Sequence, residues 1–495
     1  MPCESPTIDG TRSAHRGPWA RSRLWGAVTL GAVVLGGAVL RWRFIREMEI
    51  PVFDPWRHLQ LVENIRGGLG FTLFDHQPYI WYSPVWYYLC AAFPRPVGIE
   101  WIAATLSLAS IPLMYVYLRR TAGDAAGPTA VAGALLMAAF GPLIAFTCHY
   151  GSEAFALFLT LAALALLVVR SDSASTFLGG LLLGTAFVAR MNFAFNLLLF
   201  APVLRRGRRA ASLAAGLAIP AGLTFWRNYR TLRDYEYVFS WDGLATRSDD
   251  YGMFSTLVVQ AQPTVQRAAE RFYETVMPTP EWMDRWDLLL FMGIGVVCVL
   301  LSRRIPVILA GGGMLAFFLV FDHTHSSHFF RVNVPLVPVF LMAIAMVVGR
   351  AVRSGRRIAS AGAWALVGLT LLAGAGHLTP QDMYRLDEVT PPPGLLTEDA
   401  YMVTGGFYQP ESLVYRYPET DFVGMPLDPQ EFERFRKEYR EYRAILIHDV
   451  SIQGGLARRL LGSGRYEVVR AATNRFGHWY LVLEEVGDRG EGAGA

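Results

Sequence analysis

The stretch "PVFDPWRHLQLVENIRGGLGF", residues 51–71, follows directly on the first long apolar run of the chain. Asp54 before Pro55 spells a helix start: an aspartate can accept from the free amides of a first turn, and proline there has no amide hydrogen to leave unmet. Gly67 and Gly68 spell its end. Between them Trp56, Leu59, Val62 and Ile65 fall on one side, while Arg57, Gln60, Glu63 and Asn64 fall elsewhere. That pattern predicts a helix lying in the plane of a membrane interface. An acid, two arginines and a histidine are thereby set beside a membrane, and the rest of the chain bears on what they do there.

Outward from this stretch, apolar runs recur almost to the C-terminus. The 495 residues are 53% hydrophobic and 17% charged, with a mean hydropathy of +0.29. Eleven segments are long and apolar enough to be read as helices crossing a hydrocarbon core about 30 Å thick. They lie near 24–45, 98–118, 128–146, 152–169, 176–189, 191–204, 210–226, 287–302, 305–321, 331–349 and 359–376. Segment 82–94 is ambiguous, because adding it alone breaks the odd parity set by the ends: either it lies partly in the interface, or another run is split as well and the total is thirteen. The expected fold is an all-α polytopic membrane protein with about 11–13 transmembrane helices and a small C-terminal α/β domain.

Arginines in short loops set the orientation. "RRGRR" at 205–209, Arg303 with Arg304, and "RSGRR" at 353–357 are expected on the cytoplasmic side. The cytoplasmic N-terminal segment 1–23 carries Arg12, Arg16, Arg21 and Arg23. "RWRF" follows the first run in place of a small-residue cleavage site, so that run is read as an uncleaved anchor. The 227–286 loop, the "HTHSSHFFR" loop and the chain beyond about 377 are then outside. In that last part "TPPPG" marks a linker, and "YMVTGG", "AILIHDV", "YEVVRAA" and "HWYLVLEEV" read as strands around the helical "DPQEFERFRKEYREYR". Residues 377–485 are expected to be a soluble extracytoplasmic α/β domain, and the glycine-rich 486–495 a disordered tail.

Aromatic clusters such as "YIWYSPVWYYL" suit the membrane interface. Lys437 is the one lysine, a compositional habit, and the net charge of +4 indicates nothing about nucleic acid. Cys3, Cys90, Cys148 and Cys298 are too scattered for a disulfide framework or a zinc motif.

Among the polar residues, Asp54 has a plain reading as a cap, and a capping carboxylate is a weakened base. His58 shares its helix face four residues on, placed to orient that acid, to touch sugar or phosphate, to bind metal, or simply to sit at the interface. Glu153 opens an apolar segment, where an acid suits the helix dipole. Arg331 stands where an arginine can snorkel from the start of a membrane helix. His323, His325 and His328 gather near Asp322 without strict ligand spacing. Asp75, His76, Asp242, Asp249 and Asp250 have turn-like surroundings. No phosphate-cradling glycine loop stands between a strand and a helix, which argues against a nucleotide-sugar donor.

Taken in order, several segments resemble the type C (GT-C) glycosyltransferases, multi-spanning enzymes that use polyprenyl-phosphate sugars. An acid outside the first membrane helix is followed by an amphipathic helix, by Gly68, Gly70 and Phe71, and by "YSPVWYY". This is similar to the first extracytoplasmic loop of that superfamily. "HYGSEAFALFLTLAALAL", "GGLLLGTAFVARMNF", "FWRNYRTLRDYEYVFSWDG" and "HFFRVNVPLVPVF" resemble further segments in the same order, so that the likeness covers roughly 24–350. Length, a single early acid and the small C-terminal domain are similar to the protein mannosyltransferase and aminoarabinose transferase group. "DPWRHLQLVENI" resembles the oligosaccharyltransferase catalytic subunits, yet their WWDYG is matched only by "SWDG" at 240–243, incomplete and in the wrong place.

The resemblance implies an inverting transferase in domain 24–376, with a catalytic first outer loop at 46–81. Asp54 would be the base, and Arg331, with Arg227 and Arg57 behind it, would face the lipid phosphate. His58, Glu153 and His328 complete the expected substrate-binding set. The donor would be a polyprenyl-phosphate sugar and the acceptor an extracytoplasmic protein, lipid or cell-wall glycan, at a bacterial cytoplasmic membrane. Members of the superfamily differ in their use of a divalent ion, so metal is left open. A transporter or lipid flippase also explains many helices and an intramembrane arginine such as Arg190. It does not explain the long 227–286 loop or a folded outer domain. A noncatalytic assembly factor that keeps a degenerate transferase fold is the third reading.

Overall fold

In the computed structural model, the first apolar run forms α1 (Pro18–Glu47), and Asp54 opens α2 (Asp54–Arg66). The structure describes residues 18–48, 54–72, 83–94, 98–204, 207–234, 286–320, 334–378, 390–404, 413, 417, 420–425, 432–433, 436–437, 442–448, 456–475 and 477–486. Within them the helices continue as α3 (Val85–Ala91), α4 (Ile99–Thr121), α5 (Ala126–Ala139), α6 (Gly141–Thr147), α7 (Glu153–Val169) and α8 (Ser173–Ala189). A 3₁₀ segment (Met191–Phe200) and α9 (Ala201–Leu204) lead to α10 (Gly207–Asp234). Then come α11 (Trp286–Leu301), α12 (Ile305–Val320), α13 (Leu336–Arg353) and α14 (Arg357–Ala373).

Every apolar run read from the sequence is helical over most of its described part. Three helices among the described residues, Trp25–Glu47, Ile99–Thr121 and Leu336–Arg353, are long and apolar enough to span a membrane. The pair α5 and α6, bent by 58°, makes a fourth, and α7, α8 and α14 are apolar but shorter. The protein is an integral membrane protein by this measure. Segment 82–94 supplies only the seven residues of α3, about 10 Å of helix, far too short to cross.

Two local departures have physical causes. Met191–Phe200 is 3₁₀ in place of the α-helix expected over 191–204. Arg190, just before it, has extended backbone at φ −151 and ψ 107, so α8 cannot run through, and Asn192 and Asn196 are poor residues for an α-helix interior. The second departure is the bend after α5, at Phe140. A break strands carbonyls at a helix end, and Arg41 from α1 meets them. Its Nη1 donates to Ala138 O at 3.0 Å and Gly37 O at 3.1 Å, and its Nη2 to Met137 O at 3.1 Å. Its Nε donates to Ser107 Oγ at 3.0 Å, and Ser107 Oγ lies 2.6 Å from Thr147 Oγ1 on α6. Arg41, 2% exposed, thus joins α1, α4, α5 and α6 at the bend.

Small residues bring α8 and α10 close. A Cβ added at Gly180, Gly184 or Gly216 would collide with backbone atoms of the facing helix, so glycine there is what the approach demands. Near the C-terminus, β1 (Ala400–Thr404), β2 (Asp421–Met425), β3 (Ala444–His448), β4 (Tyr466–Thr473) and β5 (Trp479–Glu485) form one sheet in the order β2-β1-β3-β5-β4. β1 pairs parallel with β2 and β3, while β5 runs antiparallel to β3 and β4. α15 (Leu456–Gly462) precedes β4. The four strand-like runs of the sequence become β1, β3, β4 and β5; β2 is not among them. Of "DPQEFERFRKEYREYR", the described residues 432–433 and 436–437 are helical.

Candidate functional site

The site is built from α2 outward. Gly68 ends the helix at φ +81, a left-handed value that glycine adopts without penalty. The amide of Gly68 donates to Ile65 O at 3.2 Å and that of Leu69 to Asn64 O at 2.9 Å, the paired closure of a Schellman motif. Asn64 Nδ2 then holds Thr72 O at 2.8 Å. The returning chain sets Phe71, on the far side of this turn, against Tyr87 of α3, with ring centroids 5.1 Å apart.

α2 does not lie open in an interface plane. His58, Gln60, Leu61 and Val62 are buried, and Gln60, read from the sequence as polar-facing, is among them. The reason is α3, which packs over α2. Arg66 fastens the two: its Nη2 donates to Cys90 O at 3.2 Å and Phe93 O at 2.8 Å at the end of α3, and its Nη1 lies 2.5 Å from Glu63 Oε1.

α3 also corrects the reading of "YIWYSPVWYYL" as interfacial for two of its rings, because Trp86 and Tyr87 are wholly buried while Tyr88 is 51% exposed. Tyr87 Oη is 2.7 Å from His58 Nδ1, and the two rings stack at 5.5 Å. The guanidinium of Arg227 lies 4.8 Å from the centroid of Phe71, a cation–π placement. Burial pulls Arg227 down to about 10, which leaves it charged at neutral pH; it stands one residue beyond the apolar run of α10. On the other side, Trp86 Nε1 donates to Tyr150 O at 3.2 Å and its ring stacks on Phe155 of α7 at 5.6 Å. His58 and Arg227 are therefore linked through Tyr87 and Phe71, and α7, which Glu153 opens, packs on the same α3, the segment whose role the sequence left ambiguous.

Glu153 opens α7 and is 2% exposed. Its Oε1 forms an ion pair with Arg190 Nη2, and the preceding Ser152 Oγ donates to Ala189 O at 2.8 Å. The sequence offered Glu153 as a substrate-binding acid and Arg190 as an example of an intramembrane arginine. The structure pairs them. The signal was present: α7 and α8 are consecutive antiparallel helices joined by a short turn, so an acid at the start of the first and an arginine at the end of the second must meet. Tyr87 and Trp86 carried no comparable signal, since nothing in their spacing distinguishes a buried ring from an interfacial one.

Among the described residues, no group of three or more His, Cys, Asp or Glu is placed to hold a metal ion. Glu153, one of the two acids offered by the resemblance, already faces a cation in Arg190, so a divalent ion there would compete with that pair. Asp54 stands at the first position of α2 and Arg57 within its first turn, with their side chains outside the described residues. Arg331, His328, His323, His325, Asp322, Asp75, His76, Asp242, Asp249 and Asp250 also lie outside the described residues.

No protein-family model matches the sequence, and no curated protein matches it. Solved structures do resemble the fold. The oligosaccharyltransferase AglB of Archaeoglobus fulgidus, in complex with an inhibitory peptide and a dolichol-phosphate, matches with a TM-score of 0.50 at 13% identity, over 93% of this chain and 74% of that one. The Archaeoglobus fulgidus oligosaccharyltransferase in its apo form matches with a TM-score of 0.50 at 14% identity, over 85% of this chain and 69% of that one. At such identities the likeness is one of fold, which the chain shares with these two oligosaccharyltransferase structures.

Proposed function

We propose that the protein is an inverting glycosyltransferase that moves a sugar from a polyprenyl-phosphate donor to an extracytoplasmic acceptor. The observation that carries this reading is the fold shared with an enzyme solved together with a dolichol-phosphate, on which the sequence sets Asp54 where an acid follows the first membrane helix. Asp54 takes the proton of an acceptor hydroxyl as that oxygen attacks the anomeric carbon. The bond from that carbon to the phosphate oxygen breaks in the same step, inverting the centre, and the lipid phosphate leaves with the bonding pair. Its growing negative charge calls for cations rather than an acid catalyst. Arg227, charged and fixed on Phe71, supports that role, as do the sequence positions of Arg331 and Arg57. His328 is placed with the same group by its nearness to Arg331. Glu153 acts through Arg190, whose side chain is 18% exposed against 3% for the acid.

A monosaccharide donor is favoured over an oligosaccharide one because the sequence lacks a WWDYG motif in its outer part. The acceptor side is assigned to the periplasmic or outer face of a bacterial cytoplasmic membrane, with residues 377–485 as the outer domain. The test is transfer of radiolabelled sugar from a panel of polyprenyl-phosphate sugars to membrane extract by the purified protein. Turnover with a lipid monophosphate sugar is the expected result; transport of the lipid without glycosyl transfer would replace this reading with the flippase one.

A further inference from the structure

At the far end of α4 from α3 the ends of α4, α11 and α13 meet, and arginine is the charge that gathers there. Arg304 Nη2 donates to Thr121 O at the end of α4 at 3.1 Å, and Arg350 Nη2 donates to Leu301 O at the end of α11. Both thus close the carbonyl ends of helices, the ordinary use of a basic side chain at that place. Arg303 and Arg304 stand within electrostatic reach of Arg350, so three like charges share one junction. Asp124 brings an acid to the same end, but its carboxylate is 2.6 Å from Arg353.

Arg303 has no capping task. Among the described residues it has no hydrogen-bond or ion-pair partner, and its side chain is exposed. It is also the one non-glycine residue at positive φ among them, at 51°. Glycine takes a left-handed turn without steric cost, whereas an arginine there is strained. The turn is nonetheless fixed: Ser302 is buried, its Oγ donates to Val299 O at 2.7 Å, and it accepts from the amide of Arg304 at 3.3 Å. A turn alone would be better served by glycine; strain retained at a cation points to a use for that cation. Exposed apolar side chains run up to the same place, Val297, Leu300 and Leu301 on α11 and Ile305 and Leu309 on α12.

We infer that this junction binds an anionic diacyl phospholipid, its phosphate on Arg303 with Arg304 and Arg350 beside it, its acyl chains along the exposed faces of α11 and α12. The gathered positive charge selects an anionic head over a zwitterionic one. The apolar rows select a lipid over a soluble anion. Binding here needs no sugar transfer, so it is read on the protein without donor or acceptor.

Native mass spectrometry of the full-length protein in detergent, titrated with dioleoyl phosphatidylglycerol, dioleoyl phosphatidylcholine or inorganic phosphate, measures occupancy. Wild type is expected to hold phosphatidylglycerol several-fold more tightly than phosphatidylcholine, and to retain phosphate far less than either. Arg303→Gly keeps the left-handed turn and relieves its strain, while Arg303→Gln keeps a side chain without the charge. Each should bind phosphatidylglycerol about fivefold more weakly, the share of one arginine facing an anionic headgroup. Thermal unfolding in detergent should show Arg303→Gly at least as stable as wild type, which separates lost binding from lost folding. Arg208→Gln removes another exposed arginine, at the start of α10, and should leave the affinity unchanged. Equal binding of the two phospholipids would overturn the inference, as would unchanged affinity in both Arg303 variants or an equal loss in Arg208→Gln. Phosphate occupancy matching that of phosphatidylglycerol would replace the lipid with a soluble anion.

Discussion

Two regions of the protein bury an arginine, and they do so in opposite ways. At the bend between α5 and α6, Arg41 gives its donors to backbone carbonyls and one hydroxyl, with no carboxylate among its bonded partners. In the cluster around α3, the partners are side chains brought from far along the chain: Glu153 for Arg190, Phe71 for Arg227, Tyr87 for His58. The first arrangement repairs the backbone of a broken helix and gains nothing from being rearranged. The second holds charged and aromatic side chains against one another across distant parts of the chain.

The largest effect is expected where repair is lost. Arg41→Leu takes its donors from the carbonyls of Met137 and Ala138, while the Ser107 hydroxyl keeps Thr147, a loss of roughly 2–6 kcal/mol at about 1–3 kcal/mol for each stranded carbonyl. Fluorescence-detected size exclusion should show little folded protein. A well-folded Arg41→Leu would erase the contrast between the two regions.

Next comes Arg190→Gln, which removes the cation facing the buried Glu153 carboxylate, at a cost of about 3 kcal/mol. The double variant Glu153→Gln with Arg190→Gln should recover most of that stability, because removing both charges removes the desolvation problem. Thermal unfolding of the single and double variants checks it; no recovery would mean that the pair acts through packing alone.

Much of this contrast is legible in the amino-acid sequence, and the part that is not has a common cause. Asp54–Pro55 and Gly67–Gly68 bound α2 because caps and stops are local chemistry, and the apolar runs locate the helices because burial in lipid is a property of a run. The strand β2, "DFVGM", escapes because aspartate and glycine are poor strand formers and its place is fixed by parallel pairing with β1. Gln60 and Tyr87 escape for the same kind of reason: α2 and α3 bury them by packing on each other, a tertiary contact that no local pattern announces. Of the expected site, His58, Glu153 and Arg227 are legible as polar residues at run ends. Their linkage through Trp86, Tyr87 and Phe71 is not.

A smaller loss, about 1–3 kcal/mol, is expected for Tyr87→Phe, since it leaves buried Nδ1 of His58 without the phenol. Chemical denaturation in detergent measures it, and a cost near zero would place the hydrogen bond outside the cluster's cohesion.

The smallest effect belongs to the sheet near the C-terminus. Arg465 there reaches Glu485 at 2.6 Å and Glu433 at 3.0 Å, and is itself 43% exposed. The hydrogen bond from Arg465 holds the Glu485 carboxyl below its ordinary range. A depressed carboxylate contributes stability above its unfolded pKa of about 4.3, and loses it as pH falls through the folded value. Arg465→Ala should cost at most about 1 kcal/mol at pH 7 and nothing further in acid. Hydrogen exchange of the β4 and β5 amides in the full-length protein, corrected for intrinsic rates, follows the difference as pH is lowered; an equal effect at both ends of the range would show that the contact is not electrostatic.

Whether the acid opening α2 is the base of a sugar transfer is decided by comparing single-turnover transfer in wild type and Asp54→Asn. Asparagine keeps an oxygen to cap the helix and removes the basic carboxylate. The expected variant is folded, still binds donor, and transfers sugar at least about a hundredfold more slowly. Equal rates would show that Asp54 is a cap and nothing more.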